Sequence, residues 1–423
     1  MKLFSKRLNA SIVAASVFCS AGVAKADVVT EWNAYMQSTV SVNSPPTAPS
    51  NPNLQTRWGA IVQLAVFEAV NSITGQYVPY LGTITAPPGA SAEAAAVAAA
   101  HRTLVTLRSN LSPAILADLD AKRAASLAAI PDSQAKIDGI AVGEAAAAAM
   151  LALRANDGSS AAPSYPGGSD PGEWRPELPA FAPALLPGWG SVTPFGLESG
   201  SQFRLSAPPH LQTEKYANDL NEVKLLGRID SPFRPQDRTD VARFYAAASP
   251  VQVWNSAARQ VSQAQGKSLS QNAHDFALLG MAMADAAIAM WDTKYTYGFW
   301  RPISAIRNAD IDGNDLTEAD PAWLPLIPTP AHPSYASGHA SVSGSAKAVM
   351  EDIYGRDGFA VTLTTPSLPT VVLNYTAWDQ VTDDIDDARI YGGIHFRFDQ
   401  EKGAHLGKQV GKYIGRNYLR PVK

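Results

Sequence analysis

Residues 330–341 read Pro-Ala-His-Pro-Ser-Tyr-Ala-Ser-Gly-His-Ala-Ser, a turn-rich approach ending on Ser337-Gly338-His339 and opening into a Pro-free apolar stretch over 338–354. This switch from proline-dense to helix-favouring sequence predicts a helix with Ser337, Gly338 and His339 at its N-terminus. The first amides of such a helix have no partner within it and sit at the positive end of its dipole, so they make an anion site. A glycine there lets a ligand oxygen approach the backbone. Ser337 acting only as an N-cap would explain its own position too.

On either side of this stretch the chain reads as helix. Alanine-rich segments with apolar residues at helical spacing run from Arg57 to Ser72 and from Ala92 to Arg154, with Pro113 and Pro131 expected in first turns after Ser112 and Ile130. Helical patterns return at 213–226, 237–266, 270–293 and 398–416, while strand alternation is confined to 360–364 and 370–373. Residues 156–212 are dense in Pro, Gly and Ser and carry Trp174, Phe181, Trp189, Phe195 and Phe203. Such a connection is ordered, and either wraps the helices or lines a site entrance. The expected fold is all-α, a helical bundle with long irregular loops.

A chain of 423 residues, 46% hydrophobic and 17% charged, can bury a large core. Its net charge of -4, with no Lys/Arg run beyond the N-terminus, gives nucleic acid no field to bind. Lys2, Lys6 and Arg7 precede an apolar run from Ala10 to Ala24, closed by Ala24-Lys25-Ala26. This is the pattern of a cleaved signal peptide, residues 1–26, leaving a secreted or periplasmic protein with a single domain over 27–423. The sole cysteine, Cys19, falls in that leader, so the mature chain has neither disulfides nor thiolate chemistry. No later stretch reaches the ~18 uncharged apolar residues of a spanning helix, and stable membrane insertion is not expected.

Two further clusters carry charge. Lys294 and Arg301-Pro302 are six residues apart, where the long helix 270–293 is expected to end, although cations at a helix C-terminus also serve simply to complement its dipole. Arg389 and His395 flank Gly392-Gly393, and Asp399 follows His395 at the four-residue spacing that lets a carboxylate orient an imidazole. Three cations, a hydroxyl, a helix N-terminus and two histidines suit a small oxyanion better than a metal cation. Guanidinium groups offer fixed pairs of donors to its edges, and lysine offers a point charge.

Lys-x6-Arg-Pro, then Ser-Gly-His after Pro-Ser, then Arg-x5-His, in this order over residues 294–399, resembles the superfamily joining vanadium-dependent haloperoxidases to type 2 phosphatidic acid phosphatases and bacterial acid phosphatases. With Gln202-Phe203-Arg204, Asn221-Glu222-Val223-Lys224 and the Trp189 loop, a looser resemblance over most of the mature chain looks like the bacterial vanadium-haloperoxidase-like branch. The resemblance implies that Lys294, Arg301, Ser337, the Gly338 amide and Arg389 bind the oxygens of vanadate. It makes His395 the protein ligand to the metal and His339 the acid-base residue, with Asp399 placed by its spacing as the carboxylate supporting His395. Phosphate can occupy the same site, and in the phosphatases His395 would instead carry the phosphoryl group.

Phe-Trp-Arg-Pro at 299–302 and His-Phe-Arg-Phe-Asp at 395–399 resemble the haloperoxidases, and Trp291 and Phe299 are expected near the halide. His332 stands where the bromoperoxidases have histidine and the chloroperoxidases an aromatic, which implies bromide or iodide. Ala336, in place of the usual proline before the serine, and Ala388, in place of a serine common in phosphatases, depart from the family patterns. The expected function is oxidation of bromide or iodide by hydrogen peroxide to hypohalous species that halogenate small organic acceptors, with a homo-oligomer as the expected assembly. The alternatives are a soluble acid phosphatase acting through a phosphohistidine at His395 and a non-catalytic oxyanion-binding protein.

Asn308-Ala309-Asp310-Ile311-Asp312-Gly313 imitates the start of a calcium loop, but its twelfth position is Ala319 rather than a bidentate glutamate. His101, His210, His274 and His405 share no metal-ligand spacing, and Asp237 and Asp240 read as first-turn residues.

Overall fold

The computed structural model describes residues 27–43 and 51–422, so the segment read as a signal peptide lies outside the described residues. Among these residues the first group of helices is α1 (Val28–Val40), α2 (Pro52–Thr74), α3 (Ala92–Leu107), α4 (Pro113–Ala128) and α5 (Gln134–Leu153). After the long connection come α6 (Glu214–Leu226), α7 (Gln236–Ala247), α8 (Pro250–Ala264), α9 (Leu269–Tyr297) and α10 (Pro302–Arg307). The chain closes with α11 (Gly338–Tyr354), strands β1 (Asp357–Leu363) and β2 (Leu373–Ala377), α12 (Trp378–Tyr391) and α13 (Arg397–Asn417). The strands pair antiparallel with Val361 opposite Tyr375, so the architecture is helical with one hairpin.

Helix boundaries follow side-chain chemistry. Ser91, Ser112, Ser133, Thr213, Ser249 and Ser268 each cap a helix by accepting an N–H from its first turn, and Gln252 and Gln271 complete capping boxes. The stretch expected as one helix over 237–266 is two, because Ser249 caps a new start and Pro250 has no N–H to continue α7. Pro131 lies outside the helices, since α5 begins after the Ser133 cap. Strand β2 sits at 373–377 rather than 370–373.

Helix α9 organises the molecule. It packs on α2 from the N-terminal half and on α11 and α13 from the C-terminal half. It is long and apolar enough to cross a membrane, yet 94% of its apolar window is buried within the protein. Near its middle, fully buried Asp285 accepts the backbone N–H groups of Phe195 (2.6 Å), Gly196 (2.7 Å) and Leu197 (2.9 Å). This carboxylate ties the connection 154–213 to the core, helped by Arg154, which reaches the Pro194 carbonyl at 3.1 Å. Asp285→Ala strands three buried amides and is expected to lower the unfolding free energy by about 3 kcal/mol or more, read by denaturant titration. Unchanged stability would show that the loop is held elsewhere.

Helices α11 and α13 approach through small residues. A Cβ on Gly403 would lie 2.8 Å from the Ser337 carbonyl oxygen, one on Gly407 2.0 Å from that of Ser341, and one on Gly411 2.4 Å from that of Ser345. Glycines at every fourth position thus make a groove for the backbone of α11, and this close packing sets its N-terminus beside the start of α13.

Candidate oxyanion site

Helix α9 runs one turn beyond the expected end, so Lys294 lies within its last turn. Gly298 then ends it in the left-handed conformation (φ 56°), with its N–H on the Lys294 carbonyl at 2.8 Å. Lys294 Nζ donates to the Pro333 and Ser334 carbonyls at 2.7 and 2.8 Å, which holds the turn before α11 against the end of α9. Arg301 precedes α10 and donates from Nε to the His332 carbonyl (2.8 Å) and from Nη1 to the Ile394 carbonyl (2.8 Å). Its Nη1 also faces His395 Nε2 at 3.2 Å, and its Nη2 faces His332 Nδ1 at 2.9 Å. One guanidinium therefore ties together the segments carrying three of the motifs.

His395 donates from Nδ1 to Asp399 Oδ2 at 2.8 Å, which leaves Nε2 unprotonated with its lone pair toward Arg301 Nη1. Asp399 Oδ2 also accepts from Ser334 Oγ and from the Phe396 N–H. Ser337 caps α11 by accepting from the Ala340 N–H at 3.4 Å, and its own N–H reaches the Asp399 carbonyl at 3.0 Å. The N–H groups of Gly338 and His339 lie in the first turn, where a helix supplies no acceptor. Arg389 donates Nη1 to the Tyr245 carbonyl at 3.1 Å.

Burial shapes the electrostatics. Lys294, Arg301 and Asp399 are 0% exposed, His395 3% and Arg389 4%. Burial pushes Arg389 down to about 9 and Arg301 to about 10, so both stay charged at neutral pH. It also holds Lys294 well below its usual value, with the Arg301 charge adding to the effect and Asp399 opposing it. His332, His339 and His395 are lowered by burial first and then by the neighbouring cations, so they are neutral. Asp399 is raised by burial. Arg389 Nε and His339 Nε2 are buried without a hydrogen-bond partner. The Tyr245 carbonyl bonds the His339 ring, so with Nε2 unpartnered it holds the Nδ1 proton and leaves Nε2 free to take another.

These groups meet a cavity of about 530 Å³ whose wall includes Met290, Trp291, His332, His339, Arg389 and His395. Gly338 lines it as well, while Lys294, Arg301 and Ser337 stand behind the wall. Trp291 packs on His332 with ring centroids 4.6 Å apart. Phe299, expected near the halide, does not line the cavity. It lies among Tyr216, Phe396 and Phe398, and its carbonyl accepts the Ser334 N–H at 2.8 Å. The connection 156–212 does reach the cavity, through Leu185, whose carbonyl accepts from Tyr295 Oη at 2.6 Å. Sequence reasoning missed Ser334, Tyr245 and Met290. Ser334 was visible in the Pro-Ser pair of the motif, but the others act across long range and left no local signal.

The family model of the VCPO second helical-bundle domain matches residues 274–423. A vanadium chloroperoxidase of Curvularia inaequalis is 38% identical over 94 residues, which cover 20% of this chain and 15% of that protein. Among solved structures, a bacterial vanadium-dependent iodoperoxidase superposes with a TM-score of 0.80 at 24% identity, over 94% of this chain and 99% of that one. A holo-type bacterial vanadium-dependent chloroperoxidase gives 0.73 at 17% identity, over 93% and 97%. At these identities the structural likeness concerns the fold. The segment that supplies Lys294, Arg301, Ser337, Arg389 and His395 is the one that matches the VCPO second helical-bundle domain, within a helical fold shared with the bacterial vanadium-dependent haloperoxidases of known structure.

Proposed function

We propose that the protein is a vanadate-dependent haloperoxidase that uses hydrogen peroxide to oxidise bromide or iodide to hypohalous species. The observation that carries this reading is a buried excess of positive charge around unpartnered donors. Lys294 and Arg301 lie near the Asp399 carboxylate, with Glu177 also acting on Arg301, and Arg389 is buried beside Arg301. Arg389 Nε has no partner, and the Gly338 and His339 N–H groups lie where the helix supplies no acceptor. Burying such charge without a counterion is costly, and a tetrahedral oxyanion supplies both the counter-charge and the missing acceptors.

The donor set fits vanadate. His395 Nε2 would be its protein ligand, oriented by Asp399 through Nδ1, while Arg301, Arg389, Lys294, Ser337 Oγ and the Gly338 amide would bind its oxygens. When bound, vanadate supplies a Lewis acid that activates peroxide toward a halide electron pair. The protein's own contribution is to hold the site dry, to keep His395 neutral and to concentrate positive charge where the oxygens must shed electron density. Neutral His339, with Nε2 free, is placed to take a proton from incoming peroxide. His332 on the cavity wall supports bromide or iodide as the halide.

Purified protein stripped of anions would be assayed for bromide and iodide oxidation with peroxide and added vanadate, and for aryl phosphate hydrolysis without vanadate. Halide oxidation that requires vanadate and is competed by phosphate supports the proposal. Phosphate ester hydrolysis inhibited by vanadate, with no halide oxidation, would replace it with an acid phosphatase using His395 as nucleophile. His339→Ala is expected to lower halide oxidation by about 10²- to 10⁴-fold while calorimetry still detects vanadate binding. Full activity in that variant would remove His339 from the proton path. Export after cleavage of residues 1–26 belongs to the same reading, carried by the basic start, the apolar run 10–24 and Ala24-Lys25-Ala26, with mass spectrometry of the mature N-terminus as its test.

A further inference from the structure

The cavity is larger than its charged end requires. Its volume of about 530 Å³ falls within the ~300–1,000 Å³ of sites for organic ligands, whereas vanadate, peroxide and a halide need only the end formed by Arg389, His339 and His395. Arg389 is the one Arg, Lys, Asp or Glu side chain of the described lining. The rest of the wall is apolar or uncharged, with Leu185, Trp291, Ile327 and Pro328 among its apolar members. Asn53, at the start of α2, also lines this cavity and is 2% exposed. Its Nδ2 is buried and has no hydrogen-bond partner, although its backbone carbonyl accepts from Thr56 Oγ1 at 2.8 Å. A buried amide N–H without an acceptor is costly, and a ligand oxygen would relieve that cost.

We propose that this outer region binds the organic acceptor itself, a small neutral phenol whose oxygen accepts from Asn53 Nδ2, so that halogenation occurs inside the protein. The inference rests on the haloperoxidase reading above. With bromide, the proposed activity supplies hypobromous acid beside the bound ring. A ring carbon forms the C–Br bond as the O–Br bond breaks, and the O–Br electron pair leaves with oxygen. The displaced ring proton joins that hydroxide as water, so the ring is oxidised by two electrons and the bromine reduced by two.

Calorimetry of vanadate-loaded protein with phenol, without peroxide, tests the site directly. One saturable site per chain is expected, with affinity reduced about tenfold in Asn53→Leu. Binding should also be lost in Ala247→Trp, which adds bulk at an exposed position of the lining and spares the core. Under turnover with bromide, the ortho-to-para ratio of bromophenols is expected to differ from that of free hypobromous acid and to return to the free-reagent value in both variants. No saturable phenol binding, or the free-reagent ratio from the wild-type protein, would overturn the proposal. Phenol binding lost in both variants alongside no halide oxidation at all would instead keep the neutral-ligand site and overturn the haloperoxidase reading alone.

Discussion

His395→Ala is expected to abolish both vanadate retention and halide oxidation. The variant loses the bare Nε2 that faces Arg301 Nη1 at 3.2 Å, and no other described side chain offers an unprotonated nitrogen held by a carboxylate at that point. The cations survive the change, so weak electrostatic attraction for anions persists, but gel filtration should leave the variant free of vanadium. Asp399→Ala is the graded counterpart. It keeps the imidazole but removes the acceptor that fixes its tautomer, and a 10- to 100-fold loss of vanadate affinity is expected. Metal analysis after gel filtration, together with bromide-oxidation rates, checks both variants. Normal halogenation by His395→Ala would sink the assignment of the ligand.

The second large effect is structural. Gly407→Ala is expected to destabilise the protein by about 3 kcal/mol or more, even though alanine favours helix by roughly 1 kcal/mol over glycine. The added methyl would stand 2.0 Å from the Ser341 carbonyl oxygen and 2.8 Å from the Ser345 nitrogen, so α11 and α13 must separate. Separation moves Ser337, Gly338 and His339 away from His395 and Asp399, and oxyanion affinity should fall with stability. Gly415→Ala, on the same helix, meets nothing nearer than Asp352 Oδ2 at 3.5 Å and should be neutral or stabilising by up to about 1 kcal/mol. Thermal melts of the two variants decide the matter. Equal stabilisation of both would mean that the helices are not in close contact.

Much of this architecture can be read from the chain because local chemistry marks it. Serine caps, prolines at first-turn positions and apolar periodicity place most helices, and glycine and charge spacing pick out Lys294, Arg301, Ser337, Gly338, Arg389 and His395. Helix α12 escapes because 378–391 is rich in Asp and carries only a thin apolar stripe, with Trp378, Val381, Ile385, Ala388 and Ile390 buried. Phe299 was expected near the halide from its place in Phe-Trp-Arg-Pro, but the direction of its ring is set by contacts with Phe396 and Phe398, which neighbouring sequence does not encode. Asp285 owes its role to partners far along the chain, beyond the reach of any local pattern.

The burial of α9 has a consequence for modularity. At 29 residues it is about 43 Å long, and it is sheathed on one side by α2 and on others by α11 and α13. Its contact with α2 is tight enough that a Cβ on Gly280 would stand 3.2 Å from the Ala60 Cα. A fragment or chimera cut near residue 274 would keep the pocket's charged groups but expose the apolar flank that α2 covers. Transplanting the oxyanion site into another scaffold therefore requires a matching surface for that flank, so the unit that can be exchanged between relatives is the buried helix with its wrapping, and not the stretch of sequence that holds the charged residues.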